Sequence, residues 1–313
     1  LRQGDIDEVV FAYSDIAHEF VMHQASRVLA AGPDFTLLGP GSTALPCTVP
    51  VVSVLAVRTG AGKSPASRLV ADVVLSEGIT PVVIRHPMPY GDLESQRVQR
   101  FASLDDLERQ HATIEEREEY EPHLRKGLVV WAGVDYAAIV SRAQEEAALI
   151  IWDGGNNDFS FLRSDLEIVV VDPFRAGHES TFHPGEVNLL RAGVVVINKV
   201  DSAPAENVRA LEENVRRLNP SAVIVKTASV VSVQEPEAIR GKRVLVVEDG
   251  PTLTHGGMTT GAGMQAALQY GAAQVVDPRA YAQGDLADVY RRYPKLGPIV
   301  PALGYYPGQL RDL

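Results

Sequence analysis

Gly60, Gly62, Lys63 and Ser64 close the run Val57-Arg-Thr-Gly-Ala-Gly-Lys-Ser64, and an apolar stretch, residues 51–56, precedes it. A buried strand, a glycine-bearing loop and a helix running to Glu77 are the setting in which a P-loop holds nucleotide phosphates. Glycines let backbone N–H groups approach phosphate oxygens, and a helix N-terminus adds partial positive charge. Thr59, Gly60, Ala61 and Gly62 would form the cradle. Lys63 would reach the β- and γ-phosphates as a catalytic cation, and Ser64 would ligate Mg²⁺. The consensus asks for glycine where Val57 stands. Arg58 occupies the position at which deviant Walker A loops carry an additional lysine, so it is a candidate for stabilising charge on a transferring phosphoryl group.

Two more apolar runs end in polar groups. Residues 149–152 lead into Asp153-Gly-Gly-Asn-Asn-Asp158, a Walker B arrangement in which Asp153 serves the metal shell and catalysis. Asn156, Asn157 and Asp158 are ligand groups or turn formers. Residues 194–197 lead into Asn198-Lys199-Val200-Asp201, the N-K-x-D pattern of GTPases, where the aspartate accepts from guanine donors that adenine lacks. As an alternative, Asp201 is simply an N-cap. Arg85, His86 and Tyr90 follow one strand, with Arg97 and Arg100 beyond them. Arg175 and His178 follow another, in a stretch with Asp172, His183 and Glu186 where a divalent site is one reading. His255 lies in a glycine-rich stretch after a third. Open α/β sheets bind ligands at such strand ends. Arg85, His86, Tyr90, Asn156, Asn157, Arg175, His178 and His255 are therefore the substrate-binding candidates, suited to a small anionic phosphorylated compound. Glu115-Glu-Arg-Glu-Glu-Tyr-Glu121 is most simply a solvated acidic face.

The elements that must position these groups follow a strand–helix rhythm. Continuous apolar strands covered on both faces imply a mainly parallel α/β sheet. The pattern predicts a P-loop NTPase core over residues 48–233, with a charge-dense helical insertion near 86–126. It also predicts a partial Rossmann-like βαβ unit at 1–47 and a small α/β unit at 234–313. Leu1 in place of methionine leads us to expect an N-terminal truncation.

The net charge of −11 argues against a nucleic-acid partner. One cysteine, Cys47, cannot build a disulfide framework, and the cytoplasm is the expected location. No apolar run approaches the roughly 18 residues of a membrane span.

The strings Ala56-Val-Arg-Thr-Gly-Ala-Gly-Lys-Ser64, Ile84-Arg-His-Pro-Met-Pro-Tyr-Gly-Asp92, Thr113-Ile-Glu-Glu-Arg-Glu-Glu-Tyr-Glu-Pro122, Trp152-Asp-Gly-Gly-Asn-Asn-Asp158 and Val247-Glu-Asp-Gly-Pro-Thr-Leu-Thr-His-Gly256 resemble the cyclic 2,3-diphosphoglycerate synthetase family, also described as P-loop GTPase-like. The resemblance runs over nearly the whole chain. Members are generally longer, which implies missing terminal segments here. It implies an ATP-dependent ligase that closes the intramolecular phosphoanhydride of 2,3-diphosphoglycerate by phosphoryl transfer, with Mg²⁺ and Lys63, Arg58, Arg85 and His86 neutralising charge. The N-K-x-D pattern points instead to GTP. The alternative reading is a GTPase acting as a regulatory or assembly switch, and deviant Walker A proteins commonly form homodimers.

Overall fold

The computed structural model describes residues 6–86, 92–154, 158–248, 253 and 257–301. It divides into a larger unit, residues 1–228, and a smaller one, residues 229–313.

In the larger unit, β1 (Glu8–Val10) and β3 (Asp34–Thr36) pair in parallel across helix α1 (His18–Leu29), the βαβ arrangement expected from sequence. Between them β2 (Ile16–Ala17) pairs antiparallel with β10 (Phe182–His183). The short helix α2 (Pro40–Thr43) follows β3. The central sheet then takes β4 (Val51–Ala56), β5 (Val82–Arg85), β6 (Gln99–Phe101), β7 (Val129–Ala132), β8 (Ile150–Asp153), β9 (Leu166–Val171), β11 (Val194–Ile197) and β12 (Val223–Lys226). Its order is β12-β11-β9-β4-β8-β5-β7-β6, and only the pairing of edge strand β6 with β7 is antiparallel. This is a P-loop NTPase-like α/β fold with a large, mainly parallel sheet.

Alternation along each strand sends side chains to opposite faces. Val51, Leu55, Val82, Ile84, Ile150 and Trp152 pack on one face with Ile139 and Val140 of α6 (Tyr136–Glu146), Leu189 of α7 (Gly185–Arg191) and Leu211 of α8 (Ala205–Leu218). Val54, Val83 and Ile151 pack on the other with Ala71 of α3 (Lys63–Ser76), Leu107 of α4 (Leu104–Arg109) and Tyr120 of α5 (Ile114–Leu124). Both faces are covered, which is why the central strands are mostly apolar and do not alternate.

The charge-dense segment is two helices, broken where His111 adopts a left-handed backbone, φ 54°. A capping box at Thr113 and Glu116 starts α5.

In the smaller unit, the apolar run at 244–247 forms two short strands, Arg243–Val244 and Val247–Glu248, rather than one. Glu248 accepts from the N–H groups of Gly261, Gly263 and Met264, capping the helix Ala262–Gln269. Among the described residues no helix is long and apolar enough to cross a membrane.

Candidate active site

The P-loop strand β4 lies between β9 and β8, and β8 lies between β4 and β5. Their carboxyl ends place three sequence-selected groups together. Asp153 ends β8 and Arg85 ends β5, at paired register positions. Lys63 begins α3 directly after the loop.

The loop departs from consensus for a structural reason. Val57 donates its N–H to Val170 O at 3.1 Å, extending the β4 ladder, and buries its side chain. Gly185 at the start of α7 packs against it so closely that a Cβ there would meet Val57 O at 2.6 Å. The left-handed turns fall on Gly60 and Gly62, φ 78° and 105°. Any side chain on Gly62 would also collide with Asn198.

Three successive carbonyls of this loop each accept from a side chain. Arg175 donates to Thr59 O at 2.8 Å, Lys199 to Gly60 O at 2.7 Å and Asn198 to Ala61 O at 3.0 Å. Asp172, at the end of β9, holds both cations at 2.9 Å. Asn198 and Lys199 of the N-K-x-D pattern thus brace the loop, while Asp201 is exposed.

On the nucleotide edge, Lys63 Nζ and Arg85 Nη1 both donate to Asp153 Oδ1 at 2.6 Å. Arg85 Nη2 reaches Glu119 Oε2 at 2.8 Å, and Ser64 Oγ donates to Glu119 Oε1 at 3.3 Å. The result is a ring of charge joining both loop residues, with two cations and two carboxylates. Burial alone would raise the Asp153 carboxyl, but Arg85 and Lys63 overcome it and hold the group well below the ordinary range. Burial pushes the Lys63 ammonium down, aided by Arg85 and opposed by Asp153. Glu119 corrects the sequence reading, for the face of α5 bearing Glu116, Glu119, Tyr120 and His123 turns inward. His123 is buried, its Nε2 3.7 Å from Asp153 Oδ2, beyond hydrogen-bonding distance.

Arg58 is turned elsewhere. Its Nε pairs with Asp15 at 2.5 Å, its Nη1 meets His178 Nδ1 at 2.5 Å, and its guanidinium lies 3.7 Å over the Phe182 ring. The N-terminal segment is thereby joined to the loop, since Asp15 also accepts from Thr59 N at 3.3 Å. Burial, then Arg58 and Arg175, push the His178 imidazole down to about 4, so it is neutral and accepts from Arg58. The divalent site considered for this stretch is not formed: His178 serves Arg58, His183 packs edge-on to Phe159, and no group of three or more His, Cys, Asp or Glu among the described residues gathers around a metal position. His86 sits 3.7 Å from Asp158, beside Tyr136 and Phe161. Tyr90, Asn156, Asn157 and His255 lie outside the described residues.

The residues present fit Mg²⁺. Asp153 Oδ2 is buried and has no hydrogen-bond partner among the described residues, and Ser64 Oγ stands at the start of the loop helix. A hard cation completed by phosphate oxygens and water matches that donor set. Sequence reasoning missed Asp15, Glu119, His123 and Phe182. Only the inward spacing of Glu116, Tyr120 and His123 carried a signal.

Comparison with known proteins adds three findings. The family model described as CobW/HypB/UreG, nucleotide-binding domain, matches residues 140–226. A curated protein, the arginine synthetase ArcE of Thermococcus kodakarensis, is 55% identical over 313 residues, covering 100% of this chain and 70% of that protein. Among solved structures, LpxK of Aquifex aeolicus in complex with ATP aligns with a TM-score of 0.45 at 14% identity, covering 82% of this chain and 77% of that one. The hydrogenase maturation factor HypB of Archaeoglobus fulgidus aligns with a TM-score of 0.36 at 19% identity, covering 57% and 80%.

Proposed function

Because the chain belongs to the family of the arginine synthetase ArcE, we propose that it is a nucleoside-triphosphate-dependent synthetase with arginine as its product. The observation that carries the reading is the charge ring in which Lys63, Ser64, Asp153, Arg85 and Glu119 meet at one end of the sheet.

The chemistry proceeds in two displacements. An acceptor oxygen attacks the γ-phosphorus, the bond to the bridging oxygen breaks, and the nucleoside diphosphate leaves. Lys63 and the loop N–H groups neutralise the charge that develops. A nitrogen nucleophile then displaces the new phosphate from carbon and loses a proton. The sum is triphosphate, acceptor and amine going to product, diphosphate and phosphate. Mg²⁺, which Ser64 and Asp153 would hold, would supply further neutralisation of phosphate charge. Holding both substrates at the strand ends supplies the proximity the second step needs.

The second reading is ring closure on 2,3-diphosphoglycerate, favoured by the five long strings. It calls for cations that can meet a highly anionic substrate. Arg58, Arg85, Arg175 and Lys199 are instead each paired with a carboxylate of the chain itself, so we prefer the arginine reading. The base is a separate question, on which the exposed Asp201 favours guanine.

Reversal provides the test. Arginine, phosphate, Mg²⁺ and either ADP or GDP are mixed with the protein, and phosphorus NMR follows triphosphate formation. Triphosphate is expected with one of the two bases and is absent with Lys63→Ala. A parallel sample contains 2,3-diphosphoglycerate with ATP or GTP. A cyclic pyrophosphate there, with no triphosphate from arginine, would reverse our preference. Substrate-independent hydrolysis alone would leave the regulatory switch standing.

A further inference from the structure

We propose that Glu119, on the inserted helix α5, is a carboxylate ligand of the divalent cation that accompanies the nucleotide, alongside Ser64 and Asp153. This rests on the nucleotide-site reading above and extends it to a residue outside both phosphate motifs.

Three observations converge. Ser64 Oγ donates to Glu119 Oε1 at 3.3 Å, which brings the carboxylate to the hydroxyl that would ligate the cation. Arg85 bridges Asp153 Oδ1 at 2.6 Å and Glu119 Oε2 at 2.8 Å, so the two carboxylates are fixed as a pair by one guanidinium. The second Asp153 oxygen is buried and without a hydrogen-bond partner among the described residues, although the side chain is only 1% exposed. A buried carboxylate oxygen left unmatched is costly unless something occupies it, and a cation at this point would do so. Two carboxylates and a hydroxyl are fewer donors than a protein-only cage needs. They suit Mg²⁺ or Mn²⁺, whose remaining positions are filled by phosphate and water.

The consequence is a coupling. Glu119 and His123 are one helical turn apart on α5 and both face Asp153 or its partner Arg85. Binding of the cation would therefore pull on the inserted helix as well as on the loop.

The test measures cation binding directly. Wild-type protein and Glu119→Gln are saturated with a non-hydrolysable triphosphate analogue, and Mn²⁺ affinity is read by electron paramagnetic resonance. The variant is expected to bind Mn²⁺ about 10- to 100-fold more weakly. The loss of Mn²⁺ affinity should exceed any change in the variant's affinity for the analogue measured in chelator. A second variant, Glu119→Cys in a Cys47→Ser background, should favour Cd²⁺ over Mn²⁺ because a thiolate is a soft ligand. Unchanged Mn²⁺ affinity in Glu119→Gln overturns the proposal. So does weakened Mn²⁺ binding with no gain of Cd²⁺ in the cysteine variant, which would assign Glu119 to Arg85 alone. Wild-type protein that binds no analogue overturns the nucleotide-site reading and this proposal with it.

Discussion

Two charged clusters flank the same loop and hold it differently. On the β8–β5 side, Asp153 and Glu119, bridged by Arg85, engage the loop's side chains, Lys63 and Ser64. On the β9–β11 side, Arg175, Lys199 and Asn198 engage its backbone carbonyls. The first set contacts groups that must exchange partners when phosphate arrives. The second contacts carbonyl oxygens that phosphate never needs and holds them turned aside. Chemistry and scaffold are thus divided between opposite sides of β4.

Lys63→Ala tests the first side and should show the largest effect. Turnover should fall by about 10³-fold, equivalent to roughly 4 kcal/mol, in a steady-state phosphate-release assay. Asp153 keeps Arg85 as a partner, so melting should barely change. Asp172→Asn tests the second side. It leaves Arg175 and Lys199 without their shared carboxylate, and denaturant titration should register a loss of about 3 kcal/mol. If instead Lys63→Ala proves the destabilising change and Asp172→Asn the inactive, stable one, the division between the sides is wrong.

His178 sharpens the scaffold side. Its folded-state pKa of about 4 lies below the ordinary 6.5, so below pH 6.5 the unfolded chain binds the extra proton. The stability it contributes is complete above about pH 6.5 and is lost as pH falls toward about 4. The difference between wild type and His178→Asn should therefore shrink by about 2 kcal/mol across that window, measured by urea titration at several pH values. Asp201→Ala should give the smallest change, a loss of about 1 kcal/mol in binding of GTP with none for ATP, read by calorimetry. Equal losses for both bases would remove Asp201 from base selection.

Much of this was visible in the residues themselves. Mostly apolar runs marked β4, β8 and β11, because a strand covered on both faces has no polar period to confuse it. Asp153 was legible because it ends such a run. Glu119 was not, since a glutamate-rich helix is ordinarily solvated, and here its inward face is chosen by Arg85, 34 positions earlier in a different element. Asp15 was equally hidden, for its pairing with Arg58 depends on where β2 meets β10, a non-local contact that no local pattern encodes. Arg58 illustrates the limit of motif position. It occupies the site of a catalytic lysine, yet the structure commits it to Asp15, His178 and Phe182.

The bracing of Thr59, Gly60 and Ala61 by three side chains has a kinetic corollary. A loop whose shape is fixed during folding needs no ordering step at encounter. Triphosphates of either base should then associate at similar rates, and preference between them should be expressed in how long each one stays.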